Sequence, residues 1–316
     1  MLKTKSNDNT SATSRSTTVV GLGELIWDLL PDGKSLGGAT TNFAYMSRLL
    51  GNRSIVASRV GDDELGREAK TRLALMKIVT NYLQFDDAHP TGTVGVVIDE
   101  LGEAHYSMNE DSAWDYLQWT EAWNELSRAA DVVCFGTMAQ REPQSRNTII
   151  RFIENTRTDA LRIFDVNLRH AFFTGGMLAE SLRLATIAKL NSEELAKISG
   201  MLGLLKDDDA GLARQMIVKF DIDLIAITRG DKGSLLITEH EEIDHPGFQI
   251  DVVDTIGSGD AFTAALAHFY RRRASLEIIS EAANRMGSWV ATQVGATPAA
   301  DQQMAAEVLG DLCPKQ

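Results

Sequence analysis

The sequence has little cysteine and no long apolar run. Only Cys134 and Cys313 are cysteines among its 316 residues, and they are too far apart to form a CxxC pair. A reducing cytoplasm is therefore the expected compartment. The longest stretch without a charged side chain, residues 286–300, contains polar residues and is shorter than the roughly 20 apolar residues of a membrane span. We expect no association with a membrane.

Positive charge is also scarce. The chain has 31 Lys and Arg residues against 44 Asp and Glu residues, which gives a formal net charge of −13. Such a surface repels nucleic acids, so they are not expected as partners. A small phosphate ligand is compatible with this charge, because N–H groups at a helix start can bind one without basic side chains. The six histidines show no HExxH or similar spacing, and no zinc site is predicted.

Short β-branched runs alternate with longer amphipathic segments along most of the chain. The runs predict strands at residues 19–23, 54–60, 132–134, 162–165, 224–228 and 233–238. The amphipathic segments predict helices at residues 41–50, 64–76, 145–155, 193–199, 210–220, 261–270 and 276–293. This alternation predicts an α/β fold with a doubly wound, mostly parallel sheet covered by helices on both faces. Residues 1–18 are polar and are predicted to be a disordered tail before one domain over residues 19–312.

One region breaks the alternation of strands and helices. Residues 91–100 and 103–108 alternate polar and apolar side chains around the turn Glu100-Leu101-Gly102, which predicts a β-hairpin. Such a hairpin is either an edge extension of the main sheet or a small flap that covers a ligand. The pattern alone leaves both interpretations open.

The sharpest motif is Asp254-Thr255-Ile256-Gly257-Ser258-Gly259-Asp260, directly before a predicted helix. Its glycines allow successive N–H groups to point one way and form an anion nest, and the helix adds its positive end. Asp260 could simply cap that helix. Because capping requires neither the glycines nor Asp254, we favour an anion site. There, Asp260 would take the proton of a hydroxyl during phosphoryl transfer.

The chain resembles the ribokinase-like (PfkB) family of carbohydrate kinases, and its pattern is most similar to the fructokinases. The 254–260 motif is similar to the family signature DTxGAGD, with Ser258 in place of the commoner Ala. Residues 37–44 resemble the glycine signature GGAxxNxA, and residues 23–28 resemble the opening GExLxD. Further matches follow in the expected order at residues 59–66, 164–169, 191–194 and 228–233. The resemblance extends from about Val19 to Pro298.

The resemblance implies a site for a monosaccharide and ATP. The implied sugar-binding residues are Asp28, Gly37, Gly38, Asn42, Arg169 and Asp260. The implied nucleotide-binding residues are Asn191, Thr228, Gly230, Gly233, Gly257, Gly259 and Asn284. The N–H groups of Ile256, Gly257, Ser258 and Gly259 would stabilise the transferred phosphoryl group, and Asp260 would be the general base. Glu194 would place Mg²⁺ through water, and Asp254 matches a position that contributes to a monovalent-cation site, with K⁺ as the candidate ion.

Taken without the family, several of these residues have structural interpretations. Gly37-Gly38 and the pair Gly230 and Gly233 could form tight turns, and Asn42 could lie in the first turn of a helix. Arg169 could form a surface ion pair, and Glu194 could be a solvated helix residue. The residues alone do not decide between these roles and ligand binding.

The resemblance implies ATP-dependent phosphorylation of a monosaccharide hydroxyl, with D-fructose as the favoured acceptor. Because specificity depends on a few pocket contacts, 2-keto-3-deoxygluconate, ribose, tagatose and nucleosides stay open as acceptors. A non-catalytic sugar-binding regulator is an alternative from another class. The family likeness also implies a small β-sheet lid from about residues 31–39 and 91–108. Many relatives pair through this lid, so a homodimer is expected there.

Overall fold

The computed structural model describes residues 16–30, 33–98, 104–169 and 172–312. Most of the predicted tail, residues 1–15, lies outside the described residues, as do Pro31 and Asp32 of the predicted lid and its turn at residues 99–103. The first strand begins at Thr18, one residue before the predicted start of the domain. Thr18 is buried and its N–H donates a hydrogen bond to Asp131 Oδ2 at 2.8 Å, so the predicted tail boundary is too late.

The described residues form strands and helices with the following bounds. The strands are β1 (Thr18–Leu22), β2 (Ile26–Leu30), β3 (Gly33–Gly37), β4 (Arg53–Ala57), β5 (Arg59–Gly61), β6 (Gln84–Asp86), β7 (Gly92–Ile98), β8 (Ala104–Met108), β9 (Val132–Gly136), β10 (Leu161–Asp165), β11 (Ile187–Asn191), β12 (Leu224–Thr228), β13 (Ser234–Ile237) and β14 (Glu242–His245). The helices are α1 (Ala39–Leu49), α2 (Glu64–Leu75), α3 (Glu121–Ala129), α4 (Pro143–Glu154), α5 (Gly175–Leu184), α6 (Ser192–Met201), α7 (Asp209–Phe220), α8 (Ser258–Arg271), α9 (Leu276–Ala291) and α10 (Gln302–Leu309).

The main sheet confirms the predicted α/β architecture. Its strand order within the described chain is β14-β13-β12-β11-β10-β9-β1-β4, parallel from β12 to β4 and antiparallel at β13 and β14. Alternate strand residues face two apolar cores, as shown on β1, where Val19 belongs to one core and Val20 to the other. Helices α1, α2, α8, α9 and α10 cover one face, and α3 to α7 cover the other. Burial on both faces explains why these strands are almost continuously apolar.

A smaller sheet lies apart from the main one. Its strand order is β3-β2-β7-β8, in which β2 pairs with β7 in parallel and the other pairs are antiparallel. The hairpin predicted from residues 91–108 is present as β7 and β8. Strand β2 was not predicted, because Asp28 interrupts its short apolar run. The predicted strand 54–60 is divided between β4 and β5 at Ser58, and β5 pairs with β6.

Within the described ranges, we found no helix long and apolar enough to cross a membrane.

Candidate active site

Several of the predicted site residues lie at one edge of the main sheet. Strands β11 and β12 end there with Asn191 and Thr228, and β10 ends there with Asp165, four residues before Arg169. Helix α8 packs on the sheet beside them and begins with the residues of the glycine motif. The carboxyl edge of a parallel sheet is where open α/β folds bind their ligands.

The glycine motif forms a tight turn at the start of α8. Gly257 has a φ of 80°, and a Cβ there would lie 2.6 Å from the Cα of Ala296, so only glycine fits. The carboxylate of Asp254 accepts from the N–H of Ile256 at 2.9 Å and from the N–H of Gly295 at 3.0 Å. Asp254 therefore fastens this turn to the segment after α9.

Hydrogen bonds inside the turn narrow the set of N–H groups that could bind an anion. The N–H of Ile256 is directed to Asp254, and the N–H of Ser258 donates to the carbonyl of Thr255 at 3.2 Å. The prediction that all four N–H groups from Ile256 to Gly259 point to the anion is thus too broad. First-turn N–H groups have no partner within their own helix, which makes the N–H groups of Gly259 and Asp260 the better donors. The Ser258 hydroxyl is buried and has no hydrogen-bond partner among the described residues.

Asp260 lies in the first turn of α8 and is half-buried. Its Oδ2 accepts a 2.8 Å hydrogen bond from Asn42 Nδ2 on α1. Burial and the nearby carboxylate of Asp165 raise the pKa of Asp260 to about 6, although Lys189, the Asn42 hydrogen bond and Arg169 act against this rise. A carboxyl group with this pKa is mostly ionised at neutral pH and is basic enough to accept a proton.

Glu24 is a buried carboxyl group near Asp260. Its Oε1 accepts from the N–H of Ala39 at 3.2 Å, and its backbone carbonyl accepts from the Thr40 hydroxyl at 3.0 Å. Gly38 has a φ of 104°, and a Cβ there would lie 2.6 Å from that carbonyl. Glu24 therefore holds the start of α1, the helix that presents Asn42. Burial, with a smaller contribution from Asp260, raises the pKa of Glu24 to about 7.

The other predicted sugar-binding residues lie on the small sheet and at the end of β10. Asp28 on β2 is half-buried, and burial raises the pKa of its carboxyl group. A Cβ on Gly37 would lie 2.8 Å from Asp28 Oδ2, so glycine gives the carboxylate room beside β3. The Arg169 side chain is exposed and donates to the carbonyl of Leu168 at 3.1 Å. Its positive charge also acts to lower the pKa values of Asp260 and Glu24.

A cavity of about 270 Å³ lies beside the glycine turn. Predicted nucleotide-binding residues line it, namely Thr228, Gly230, Gly233, Gly259 and Asn284. Apolar side chains, among them Phe248 and Phe262, line it as well, which suits a planar base. The Asn284 amide donates to Ser234 Oγ at 2.7 Å and to the carbonyl of Ser280 at 2.8 Å, so its nitrogen is used within the protein.

Asn191 and Glu194 form a capping box at the start of α6. Glu194 accepts from the N–H of Asn191 at 2.8 Å and from the N–H of Leu168 at 2.7 Å, while Asn191 Oδ1 accepts from the N–H of Glu194. Glu194 is buried, so its interpretation as a solvated helix residue is wrong. The sequence did not predict that Asn191 caps α6. The cap uses only the side-chain oxygen of Asn191, so its amide nitrogen is left for a ligand.

Sequence reasoning missed the buried ion pair of Lys189 and Asp165. The Lys189 Nζ lies 3.2 Å and 3.3 Å from the two carboxylate oxygens of Asp165 on the neighbouring strand. Strand β11 was also missed, because Lys189 interrupts an otherwise apolar run. A lysine within an apolar run could have indicated this ion pair, since lysine is seldom buried without a partner.

The fold and this site are typical of a phosphotransferase that acts on small molecules, because a glycine-rich helix start, a carboxyl group with a raised pKa and a cavity that suits a planar base meet at one sheet edge. The sequence profile described as "pfkB family carbohydrate kinase" matches residues 31–303. The chain belongs to this family of carbohydrate kinases, which are phosphotransferases with an alcohol group as acceptor.

Individual relatives agree with this assignment. A fructokinase from Klebsiella pneumoniae is 31% identical over 255 residues, which are 78% of this chain and 81% of that protein. The crystal structure of a sugar kinase from Pyrococcus horikoshii has a TM-score of 0.78 at 27% identity and covers 93% of this chain and 100% of its own. A fructokinase from Vibrio cholerae, solved with fructose, ADP and a calcium ion, also has a TM-score of 0.78 at 27% identity, covering 93% of this chain and 99% of its own. The Pyrococcus kinase was also solved with ATP, and a double mutant of the Vibrio enzyme with a potassium ion.

We predict that kcat/KM rises with pH through an apparent pKa near 6. Asp260 must be ionised to accept a proton, and its pKa is raised to about 6, so activity is lost as the pH falls below that value. The measurement is kcat/KM between pH 4.5 and 8, with circular dichroism to show that the protein stays folded. The exposed Asp87→Asn variant should keep the same profile, and a wild-type profile that stays flat down to pH 4.5 would contradict this role of Asp260.

Proposed function

We propose that this protein phosphorylates a hydroxyl group of a monosaccharide with ATP, and that D-fructose is its acceptor. The observation that carries the proposal is the position of Asp260. It is held by Asn42, and it lies in the first turn of α8 beside a cavity that suits a nucleotide. A sugar hydroxyl at Asp260 and a phosphoryl group at the glycine turn would lie in contact there.

In the proposed reaction, the sugar hydroxyl oxygen attacks the γ-phosphorus of ATP. Asp260 accepts the hydroxyl proton, the new oxygen–phosphorus bond forms, and the bond to the β-phosphate oxygen breaks to release ADP. N–H groups at the start of α8 and the positive end of the helix stabilise the negative charge on the transferred group. Asn42 keeps the carboxylate oriented towards the hydroxyl.

Two cations belong to the proposal. Magnesium would neutralise charge on the phosphates, and Glu194 could hold it only through water, because both of its oxygens already accept backbone N–H groups. Potassium is a candidate beside Asp254, which joins the glycine turn to Gly295.

D-Fructose is favoured as the acceptor by the fructokinases among the relatives. Within the kinase class, 2-keto-3-deoxygluconate and ribose are the competing acceptors. A non-catalytic regulator is disfavoured, since sugar binding alone gives no use for a carboxyl group whose pKa is raised to about 6 at a helix start.

We predict that D-fructose gives the highest kcat/KM when ADP release is measured with a panel of sugars. The panel contains fructose, glucose, tagatose, ribose and 2-keto-3-deoxygluconate. The Asp260→Asn variant should bind fructose in calorimetry yet lose at least about a hundredfold in kcat, because the amide cannot accept the proton. Near-normal kcat in this variant would remove the mechanism, and preference for another sugar would reassign the acceptor.

We further propose that the small sheet is a lid over the sugar. It carries two predicted sugar-binding residues, Asp28 on β2 and Gly37 on β3. A sugar held by these residues would join the small sheet to Asp260 on the main domain and exclude water from the phosphoryl group.

We predict that fructose slows amide hydrogen exchange in β2, β3, β7 and β8. A bound sugar would hold the small sheet closed, so its amides would open less often. Exchange is measured by mass spectrometry with and without fructose, and helix α7 on the far side serves as an internal reference. Exchange in the four strands that does not respond to fructose, under conditions where calorimetry shows binding, would contradict the lid.

We propose the cytoplasm as the compartment, since Cys134 is a buried free thiol. We also propose a homodimer through the small sheet. Its outer strands in the described chain, β3 and β8, leave edges that a second copy could pair with, and Leu29 on β2 is 37% exposed.

We predict that light scattering gives twice the 34.6 kDa chain mass. Leu29→Glu should shift the protein towards monomer, because it places a charge in the proposed interface. Leu205→Glu is the matched control, since Leu205 is 78% exposed on the main domain. A wild-type monomer at every concentration tested would rule out this dimer.

A further inference from the structure

A buried ion pair lies directly beneath the glycine turn. Lys189 on β11 and Asp165 on β10 face each other in the register of two parallel strands. Both residues are at most 8% exposed, and the Lys189 Nζ lies 3.2 Å and 3.3 Å from the two oxygens of Asp165. The sheet thus places one positive and one negative charge under the first turn of α8.

The pair is in contact with that turn. A Cβ on Gly259 would lie 2.9 Å from the Lys189 Nζ, so the ammonium group occupies the space that any larger residue at 259 would need. Thr263 adds a second link, because its hydroxyl lies 2.8 Å from the carbonyl of Gly259 and 3.3 Å from Asp165 Oδ2. The φ of Gly259 is not in the left-handed region. The Lys189 ammonium group therefore lies against the backbone of Gly259.

Stability alone is a weak reason to bury this pair. Removing two charges from water is unfavourable, and apolar side chains of similar size often stabilise a fold equally well. Burial lowers the pKa of Lys189, but Asp165, Glu194 and Asp260 outweigh it and keep the amine protonated. A fixed positive charge is therefore maintained a short distance behind the predicted anion site.

We propose that Lys189 is a positioning residue that acts through Gly259 and Asp260, with its ammonium group as the fixed positive charge behind the transferred phosphoryl group. Asp165 holds this ammonium in place. The inference rests on the proposed phosphoryl transfer and adds a residue that does not contact the substrates. A preorganised charge of this kind stabilises a transition state without rearrangement during the reaction.

The test compares Asp165→Asn with the double variant Asp165→Asn, Lys189→Met. Both variants break the ion pair, but only the first keeps the ammonium group. The double variant also avoids leaving a buried carboxylate without a partner. The matched control is the double variant Asp87→Asn, Lys206→Met, which makes the same two substitutions at exposed positions. If the double variant fails to fold, Lys189→Gln replaces Lys189→Met.

The first measurement is the pKa of Asp260 in the ligand-free protein, read by carboxyl-carbon NMR with Asp260→Asn to assign the signal. Loss of a negative neighbour in Asp165→Asn should lower this pKa, and further loss of the ammonium should raise it again by about one unit. The charged groups that face Asp260 are Glu24, Asp165, Lys189 and Arg169. Because the titration requires no turnover, it stays informative if the proposed function fails.

The second measurement is kcat with the best sugar of the panel. We expect Asp165→Asn to stay within severalfold of wild type and the double variant to fall at least about tenfold below Asp165→Asn, with little change in KM for the sugar. Equal kcat in the two variants, or a pKa of Asp260 that does not rise between them, overturns the inference. Wild-type protein that phosphorylates none of the sugars contradicts the proposed function instead.

Discussion

The hydrogen bond between Asn42 and Asp260 is the interaction on which the site depends. It joins α1 to α8 across 218 positions in sequence and sets the direction of the Asp260 carboxylate, the proposed proton acceptor at the helix start. Glu24 holds the N-terminal end of α1, and the packing of α1 against α8 fixes the distance between the two partners. The orientation of Asp260 therefore depends on how α1 and α8 pack together on this face of the sheet.

Charge balance around Asp260 determines what this carboxyl group can do. Glu24 and Asp260 are carboxyl groups with little access to water, and burial raises the pKa of both. The nearby carboxylate of Asp165 raises the pKa of Asp260 further. Lys189 and Arg169 offset part of this effect, so the pKa of Asp260 is raised only to about 6. At neutral pH the group is then ionised and still basic. A site with fewer cations would hold Asp260 protonated, and a site with fewer carboxylates would make it a weaker base.

Much of the fold was accessible from sequence because the parallel strands are apolar on both faces and the helices are amphipathic. The prediction failed where a polar residue interrupts a short strand, as Asp28 does in β2 and Lys189 in β11. Lys189 is paired with Asp165 on the neighbouring strand, and Asp28 lies beside Gly37 on β3. Local patterns cannot reveal such contacts, since their partners come from distant segments.

The residues of the candidate site also fall into two groups, those that a local sequence pattern can predict and those that depend on distant contacts. The glycine motif and Asp260 stand together in sequence, and their physical meaning could be argued from spacing. By contrast, the cap formed by Asn191 and Glu194 contacts Leu168 on another segment. Glu24 likewise acts at a distance in sequence, because it accepts the N–H of Ala39 at the start of α1. Fewer than four of the N–H groups from Ile256 to Gly259 can bind an anion, because the Asp254 carboxylate accepts the N–H of Ile256. Only the folded turn reveals this hydrogen bond.

The most direct test of the central claim is a crystal structure with a monosaccharide and a non-hydrolysable ATP analogue. The account predicts a sugar hydroxyl within hydrogen-bond distance of the Asp260 carboxylate, about 3 Å. It also predicts that the terminal phosphate lies against the start of α8, on the side of that hydroxyl away from the Asp260 carboxylate. A complex in which both ligands are bound while Asp260 contacts only solvent would contradict the account.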